Sequence, residues 1–247
     1  MMKKPSPQTI FAAGLVTVSA VIFAIQIREF HHTQDTVFYL LQDLAFLPIQ
    51  VLLVTFILNR FLEQREKTAL LQKMNMAIGI FFSECGNPLL KALAAFDARS
   101  PEVRDLLRVS TQWTAKDFSR VLSMLKQHPP ALDCGRGDLP ALRALLLEKR
   151  TFLLSLLENP NLLEHDAFTD LLRAVFHLTE ELSLRPQVAE LTPHDAEHLA
   201  GDLKRVHSLL YTEWLAYLAH LKENFPYLFS LAVRQNPLDP AASVEIR

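Results

Sequence analysis

Two long runs of apolar residues open the chain. Residues 10–27 contain no charged side chain, and residues 37–58 contain one ionisable group, Asp43. At a rise of about 1.5 Å per residue, helices of these lengths span about 27 and 33 Å, close to the hydrocarbon thickness of a bilayer. Both runs are apolar all round, without an amphipathic stripe, which favours two transmembrane helices over two buried core helices.

The positions of lysine and arginine predict how this hairpin is oriented. Positive charges precede the first run and follow the second, whereas the loop at 28–36 has only Arg28 beside two acidic residues. Because cytoplasmic flanks carry the excess of Lys and Arg, both termini are expected in the cytoplasm. A cleaved signal peptide is the alternative for the first run, since Lys3 and Lys4 precede it.

Polar and apolar positions follow the helical period beyond residue 60. Neither Gly nor Pro occurs between Gln50 and Ala77, so the second membrane helix is predicted to continue as a connector to Gly86. Asn87 is predicted to cap the next helix, with Pro88 at its first position. Further helix starts are predicted at Ser100, Thr114, Asp138, residue 164 and Thr192.

The last long helix has the clearest period. Its apolar residues are spaced by three or four positions, which predicts one face packed on a core. These residues are Leu199, Leu203, Val206, Leu210, Trp214, Tyr217 and Leu221.

No stretch alternates with a period of two for long enough to predict a strand. The predicted fold class is therefore all-α, with two transmembrane helices in an N-in, C-in hairpin followed by a cytosolic multi-helix bundle. The predicted organisation is a membrane hairpin at 1–59, a helical connector at 60–86, the bundle at 87–240 and a tail at 241–247.

The composition of the chain argues against some classes of function and cellular location. A formal net charge of −2 argues against a strongly basic nucleic-acid-binding protein. Two cysteines are too few for a disulfide framework and indicate a reducing compartment. A mean hydropathy of +0.14 suits a chain that lies partly in lipid and partly outside it.

Four segments resemble uncharacterised bacterial and archaeal membrane proteins. The resemblance covers about residues 37–240 and implies a location in the prokaryotic cytoplasmic (inner) membrane, with the C-terminal domain in the cytoplasm. It implies no activity and no catalytic residues. The segments are YLLQDLAFLPI at 39–49, FFSE at 81–84, ENPNLLEH at 158–165 and PYLFSLA at 226–232.

Asp43 is the sharpest single candidate for function. A carboxylate within a membrane helix is costly and usually faces a polar partner or water. Gln42 is its neighbour, Gln50 lies on the same helical face, and Pro48 between them removes a backbone donor. Two interpretations stay open: a polar seam for helix association or ion passage, or a hydrated carboxylate near the outer headgroups.

Motifs for catalysis are missing from the sequence. It contains no glycine-rich phosphate loop, no Gly-x-Ser-x-Gly and no His-Glu-x-x-His. His194 and His198 are a weak metal candidate, but no acidic-x-x-His pair on a second helix completes a di-metal site. Cys134 beside Arg136 is a weak candidate for a reactive thiol. We therefore expect a non-enzymatic protein without a cofactor.

Residues 225–233 form a very apolar segment that is too short to span a bilayer. Through Phe225, Tyr227 and Phe229 it could pack on the bundle, dock on the inner membrane surface or contact another subunit. The sequence predicts a membrane-anchored binding or assembly protein, in signalling or scaffolding, with the lipid bilayer and further copies of itself as partners. The alternative is a small oligomeric channel or transport-associated protein that uses Asp43 and Gln50.

Overall fold

The computed structural model describes residues 17–25, 28, 33–162 and 165–245, with only the backbone given for Thr33, Thr36 and residues 68–71. The chain divides into two compact units, Met1–Lys67 and Thr68–Arg247. The described residues form helices and turns, with a single isolated bridge between Asp97 and Leu132. The all-α prediction is confirmed for this part of the chain.

The first long helix, α1, extends from Thr33 to Phe81. It begins four residues before the predicted start, where the acidic side chain of Asp35 in the first turn favours a helix N-terminus. Its continuation beyond the second apolar run agrees with the absence of Gly and Pro there. Residues 17–25 are also helical and largely exposed. Residues 10–16, 26–27 and 29–32 of the predicted hairpin lie outside the described part.

The prediction that Asn87 caps a new helix is wrong. α1 passes at Phe81 into a π-helical turn, Phe82–Gly86, which leads directly into α2, Asn87–Ala94. Gly86 and Asn87 both have right-handed helical backbone angles, with φ of −63° and −66°. Pro88 cannot donate a helical hydrogen bond, and the wider π turn carries the backbone past this point without a break.

Six more helices follow, and local caps explain several of their starts. Asp117 accepts hydrogen bonds from the backbone N–H and hydroxyl of Thr114 at 2.8 and 2.7 Å. Asp138 accepts from the N–H of Ala141 at 2.8 Å. The starts predicted at Ser100, Thr114, Asp138 and Thr192 are confirmed. The helices are α3 Ser100–Leu106, α4 Ala115–Gln127, α5 Leu139–Leu157, α6 Asp166–Leu184, α7 Pro193–Asn224 and α8 Pro226–Arg234.

Helix α7 is the centre of the second unit. It packs against α6, α8, α4 and α2, and α6 in turn packs against α5. Of its seven periodic apolar residues, six are buried and Tyr217 is half-buried, so the predicted face is confirmed. Phe81 packs edge-to-face against Phe168, with ring centroids 5.3 Å apart, which joins the end of α1 to α6.

One buried polar cluster interrupts this apolar core. His207 Nε2 lies 3.7 Å from Asp97 Oδ2, and neither atom has a hydrogen-bond partner in the protein. The ring of His207 stacks on Tyr211 with centroids 3.8 Å apart. Burial lowers the pKa of His207 to about 4, although Asp97 acts in the opposite direction. The imidazole is therefore neutral in the folded protein at pH 7.

Candidate functional site

A cleft of about 670 Å³ opens in the second unit between the C-terminal end of α1 and helices α7 and α8. This volume lies within the range of about 300 to 1,000 Å³ that is usual for small-molecule sites. Its walls are mainly apolar, with amide, hydroxyl and imidazole groups among them. They consist of Gln72, Asn75, Met76, Gly79, Ile80, Ser83, Tyr217, His220, Leu221, Asn224, Phe225 and Leu228.

Gly79 leaves room for the side chain of Tyr217 in the wall of this cleft. A Cβ atom at this position would lie 3.0 Å from the Tyr217 hydroxyl, closer than an ordinary van der Waals contact. The Tyr217 ring stacks on Phe82, with centroids 5.2 Å apart and an interplanar angle of 15°. Burial raises the pKa of Tyr217, so the phenol stays protonated and can donate a hydrogen bond.

His220 supplies the second polar group of the cleft wall. Its Nδ1 lies 3.1 Å from Asn224 Nδ2, while its Nε2 is buried without a hydrogen-bond partner in the protein. Burial lowers the pKa of His220 against the opposing effect of Glu223, which favours a neutral ring.

The wall residues do not include a nucleophile paired with a base. They comprise apolar side chains, primary amides, one serine, one tyrosine and one neutral histidine. Nucleophilic catalysis requires a nucleophile within hydrogen-bond reach of an oriented base, and no wall residue of this cleft forms such a pair. The arrangement is suited to binding.

The predicted polar seam belongs to the first unit. Gln42, Asp43, Pro48 and Gln50 are all exposed residues of α1, and Pro48 lies inside the helix without ending it. The cleft residues belong to the second unit.

The apolar segment at 225–233 folds as α8. Phe229 is 3% exposed, packs against Phe118 at 6.3 Å between centroids, and has the Lys222 ammonium 5.1 Å from its ring centre. Phe229 therefore belongs to the bundle core and not to a contact surface. Tyr227 is 71% exposed, and Phe225 contributes to the cleft wall.

The thiols are shielded from reaction. Cys134 is buried and donates its S–H to the Ala196 carbonyl at 3.3 Å. Burial raises its pKa, with Asp133 and Asp195 adding to this effect and Arg185 and a backbone hydrogen bond opposing it. Burial likewise raises the pKa of Cys85 to about 12. Neither environment produces the thiolate that a reactive cysteine needs.

Comparison with known proteins assigns the family. A family model for the "MJ1433, N-terminal helical domain" matches residues 3–62, and one for the C-terminal helical domain of the "Uncharacterized protein MJ1433" matches residues 70–234. The MJ1433 protein of Methanocaldococcus jannaschii is 42% identical over 230 residues, which cover 93% of this chain and 92% of that protein. The chain belongs to the MJ1433 family. No solved structure matches it.

The MJ1433 family assignment agrees with the predicted resemblance to an uncharacterised family of helical proteins with archaeal members. The two matched regions meet between residues 62 and 70, and the two compact units of the structure meet at Lys67 and Thr68. Both family descriptions name helical domains, as the structure has them.

The sequence did not indicate the cleft, and it did not indicate which side chains lie beside His198. The cleft joins residues about 140 positions apart in the sequence. The one local signal was Gly79, a glycine inside a helix. Among the described residues, His198 groups with Glu181 and Asp202 and not with His194. The sequence signal for this grouping is a His-x-x-x-acid spacing that occurs on two helices, and it differs from the acid-x-x-His spacing of di-metal sites.

Proposed function

We propose that this protein is a membrane-anchored binding protein. Residues 10–27 and 37–58 form a transmembrane hairpin with both termini in the cytoplasm, and the unit from Thr68 onwards binds an amphiphilic small molecule in the cleft without converting it.

The observation that supports the anchor is the exposed apolar surface of α1. A window of α1 with mean hydropathy 1.9 has none of its residues buried, and by length and composition the helix that contains it is the one candidate span in the described part of the chain. Leu44, Leu52 and Phe56 are between 62 and 72% exposed. Exposed apolar surface costs about 25 cal/mol per Å² in water, and a bilayer would remove that cost.

The ligand class follows from the chemistry of the cleft. Met76, Ile80 and Leu228 offer apolar contacts, while the protonated Tyr217 and the amides of Gln72 and Asn75 offer hydrogen bonds. A molecule with an apolar body and an uncharged polar group would satisfy both kinds of surface. A strongly charged ligand would find no opposite charge, since none of the wall residues is acidic or basic apart from neutral His220.

Topology mapping tests the anchor. Single cysteines placed at positions 30 and 34 are expected to react with a membrane-impermeant maleimide from outside intact cells, whereas a reporter fused after Arg247 should be active only in the cytoplasm. Release of the protein from membranes by alkaline carbonate would contradict the anchor, as would digestion of the second unit by external protease.

Ligand binding tests the cleft separately. Ser83→Phe places a ring in the cleft wall, whereas Glu84→Phe adds the same ring at the next residue, which does not line the cleft. The full-length protein in detergent should bind a fluorescent long-chain alcohol, and Ser83→Phe should weaken this binding at least about tenfold, equivalent to about 1.4 kcal/mol. Equal binding by both variants would contradict the cleft as the binding site.

A further inference from the structure

We propose that helices α6 and α7 carry a binding site for a divalent transition-metal ion, formed by Glu181, His198 and Asp202, with His177, 3.4 Å from Asp202, as a fourth ligand that turns towards the ion when it binds. This site lies apart from the cleft, and it stands whether or not the cleft binds an amphiphile.

The site begins with a spacing that occurs on both helices. His177 precedes Glu181 by four residues on α6, and His198 precedes Asp202 by four residues on α7. Residues four apart lie on the same helical face, so each helix presents one imidazole and one carboxylate. Because α6 and α7 pack together, the two pairs meet.

The distances show how closely they meet. Nε2 of His177 lies 3.4 Å from Asp202 Oδ2, and Nε2 of His198 lies 3.7 Å from the same oxygen. Each imidazole is also 3.9 Å from a carboxylate oxygen of Glu181, His177 from Oε1 and His198 from Oε2. Histidine on each helix therefore faces the acid of the other helix, as antiparallel neighbours require.

The burial of Asp202 is a second observation in favour of this site, independent of the residue spacing. Its side chain is 7% exposed, and its Oδ2 is buried without a hydrogen-bond partner among the residues that the structure describes. A buried carboxylate oxygen without a donor is expensive. This oxygen is the one that faces both imidazoles, so a cation held between the three side chains would satisfy it.

The spacing fits a metal ion better than a set of direct hydrogen bonds. Tetrahedral ligands about 2.0 to 2.1 Å from Zn²⁺ are about 3.3 to 3.5 Å from one another. The ligand atoms of Glu181, His198 and Asp202 all lie within 4.8 Å of one another, so side-chain rotation can bring them to this geometry, and His177 can join them from its position 3.4 Å from Asp202 Oδ2. Imidazole and carboxylate ligands together are typical of Zn²⁺ and neighbouring first-row metals.

Two arginines lie beside the carboxylates of the proposed metal site. Arg185 donates to Glu181 Oε2 at 2.6 Å and pairs with Asp195 at 2.7 Å, so it orients Glu181 from outside the site. Arg205 lies 3.6 Å from Asp202 Oδ1 and leaves Oδ2 directed at the histidines. The two imidazoles are about half exposed, so a metal ion can enter without unfolding of the helices.

Metal titration of the full-length protein in detergent tests this site. After removal of metals with a chelator, Zn²⁺ is titrated against a chromophoric competitor, and Co²⁺ is added separately to record the visible absorption of a four-coordinate ion. We expect one Zn²⁺ per chain, and we expect His177→Gln, His198→Gln and Asp202→Asn each to weaken its binding by at least the roughly 10- to 100-fold known for outer-shell changes.

His194→Gln is the matched control, because His194 lies on α7 one turn before His198 and outside the cluster. It should bind Zn²⁺ like the unmodified protein. Circular dichroism identifies any variant that loses helix, and Asp202→Asn keeps the shape of the side chain. Failure of the unmodified protein to bind Zn²⁺ at micromolar concentration would overturn the proposal, as would equal binding by the folded cluster variants and the control.

Discussion

The first and second units contain the same kinds of apolar residue but expose them in opposite ways. In α1 before Lys67, Leu52 is 72% and Phe56 is 67% exposed, whereas Leu210 and Phe168 in the second unit are not exposed at all. The difference lies in the pattern and not in the residue types. An apolar stripe can be buried by neighbouring helices of the same chain, but a helix that is apolar all round needs a different surrounding.

This comparison gives the two units different requirements for stability. The second unit should owe its free energy of unfolding to packing within the chain, so core truncations should weaken it. The first unit should owe its stability as a helix to lipid or to another apolar surface, so truncations there should leave the second unit unchanged. The four predictions below separate these requirements.

The largest effect is expected from truncation of a core aromatic. Phe168→Ala removes a fully buried ring that contacts Phe81 and should lower the free energy of unfolding by about 3 to 5 kcal/mol. Phe56→Ala removes the same ring from an exposed position and should leave it unchanged. Chemical unfolding in detergent, followed by far-UV circular dichroism and Trp fluorescence, measures both. A similar loss in the two variants would break the comparison.

A charge in the first unit should act on membrane insertion instead. Leu52→Arg should oppose insertion by about 2.5 to 3.5 kcal/mol, the cost of arginine at the centre of a membrane helix. Leu184→Arg places the same charge on the second unit, where Leu184 is 81% exposed, and should have no such effect. Fractionation of cells into membrane and soluble parts distinguishes them. Equal membrane recovery of both variants would contradict the membrane assignment of the first unit.

The buried histidine of the second unit predicts a pH dependence. The folded pKa of His207 is lowered from 6.5 to about 4, so below pH 6.5 the unfolded chain takes up the proton first. The contribution of His207 to the free energy of unfolding is therefore fully present above pH 6.5. It is lost as the pH falls towards 4, and the free energy of unfolding is lower by about 2 kcal/mol at pH 5. Unfolding measured between pH 5 and 7 should show this slope.

Two variants isolate the histidine responsible. His207→Gln should remove this part of the pH slope, even though it also lowers overall stability, and the exposed His194→Gln should keep it. If His207→Gln unfolds with the pH dependence of the unmodified protein, the slope has another origin.

The smallest effect concerns Asp43 on the exposed surface of α1. Asp43→Leu should weaken self-association in detergent by about 0.6 kcal/mol, the average for a polar contact between membrane helices, with about 1.7 kcal/mol as the upper bound. Asp43→Asn retains hydrogen bonding and should largely preserve association. Sedimentation equilibrium measures both. If both variants associate like the unmodified protein, Asp43 is a hydrated residue without a partner helix.

Local signals made much of the fold predictable. Several helix starts were predictable because a cap needs only residues within a single turn. The capping residues are Thr114 with Asp117, Asp138 and Thr192. The face that runs from Leu199 to Leu221 was visible because helical periodicity is a property of one segment. The predicted helix start at Asn87 was wrong because Asn followed by Pro also fits inside a continuous helix when a π turn precedes the pair.

The site was predictable only in fragments. Gly79, Tyr217 and His220 carry no shared motif, and they line one cleft because the side chain of Tyr217 extends from α7 to the space left open at Gly79. His177 and Glu181 share one face of α6 by their spacing, but only the packing of α6 on α7 places His177 3.4 Å from Asp202. Spacing within a helix specifies which residues share a face, but not which face of another helix they meet.

The sequence by itself determined the all-helical architecture, the position of most helix starts and the contrast between an all-round apolar helix and amphipathic ones. These follow from interactions between residues close in the chain, whose geometry a helix fixes. Only the tertiary structure decided the cleft, the burial of Asp97 beside His207 and the grouping of His177 with Asp202. Each of these joins distant residues through the packing of whole helices, which depends on the shapes of all side chains between them.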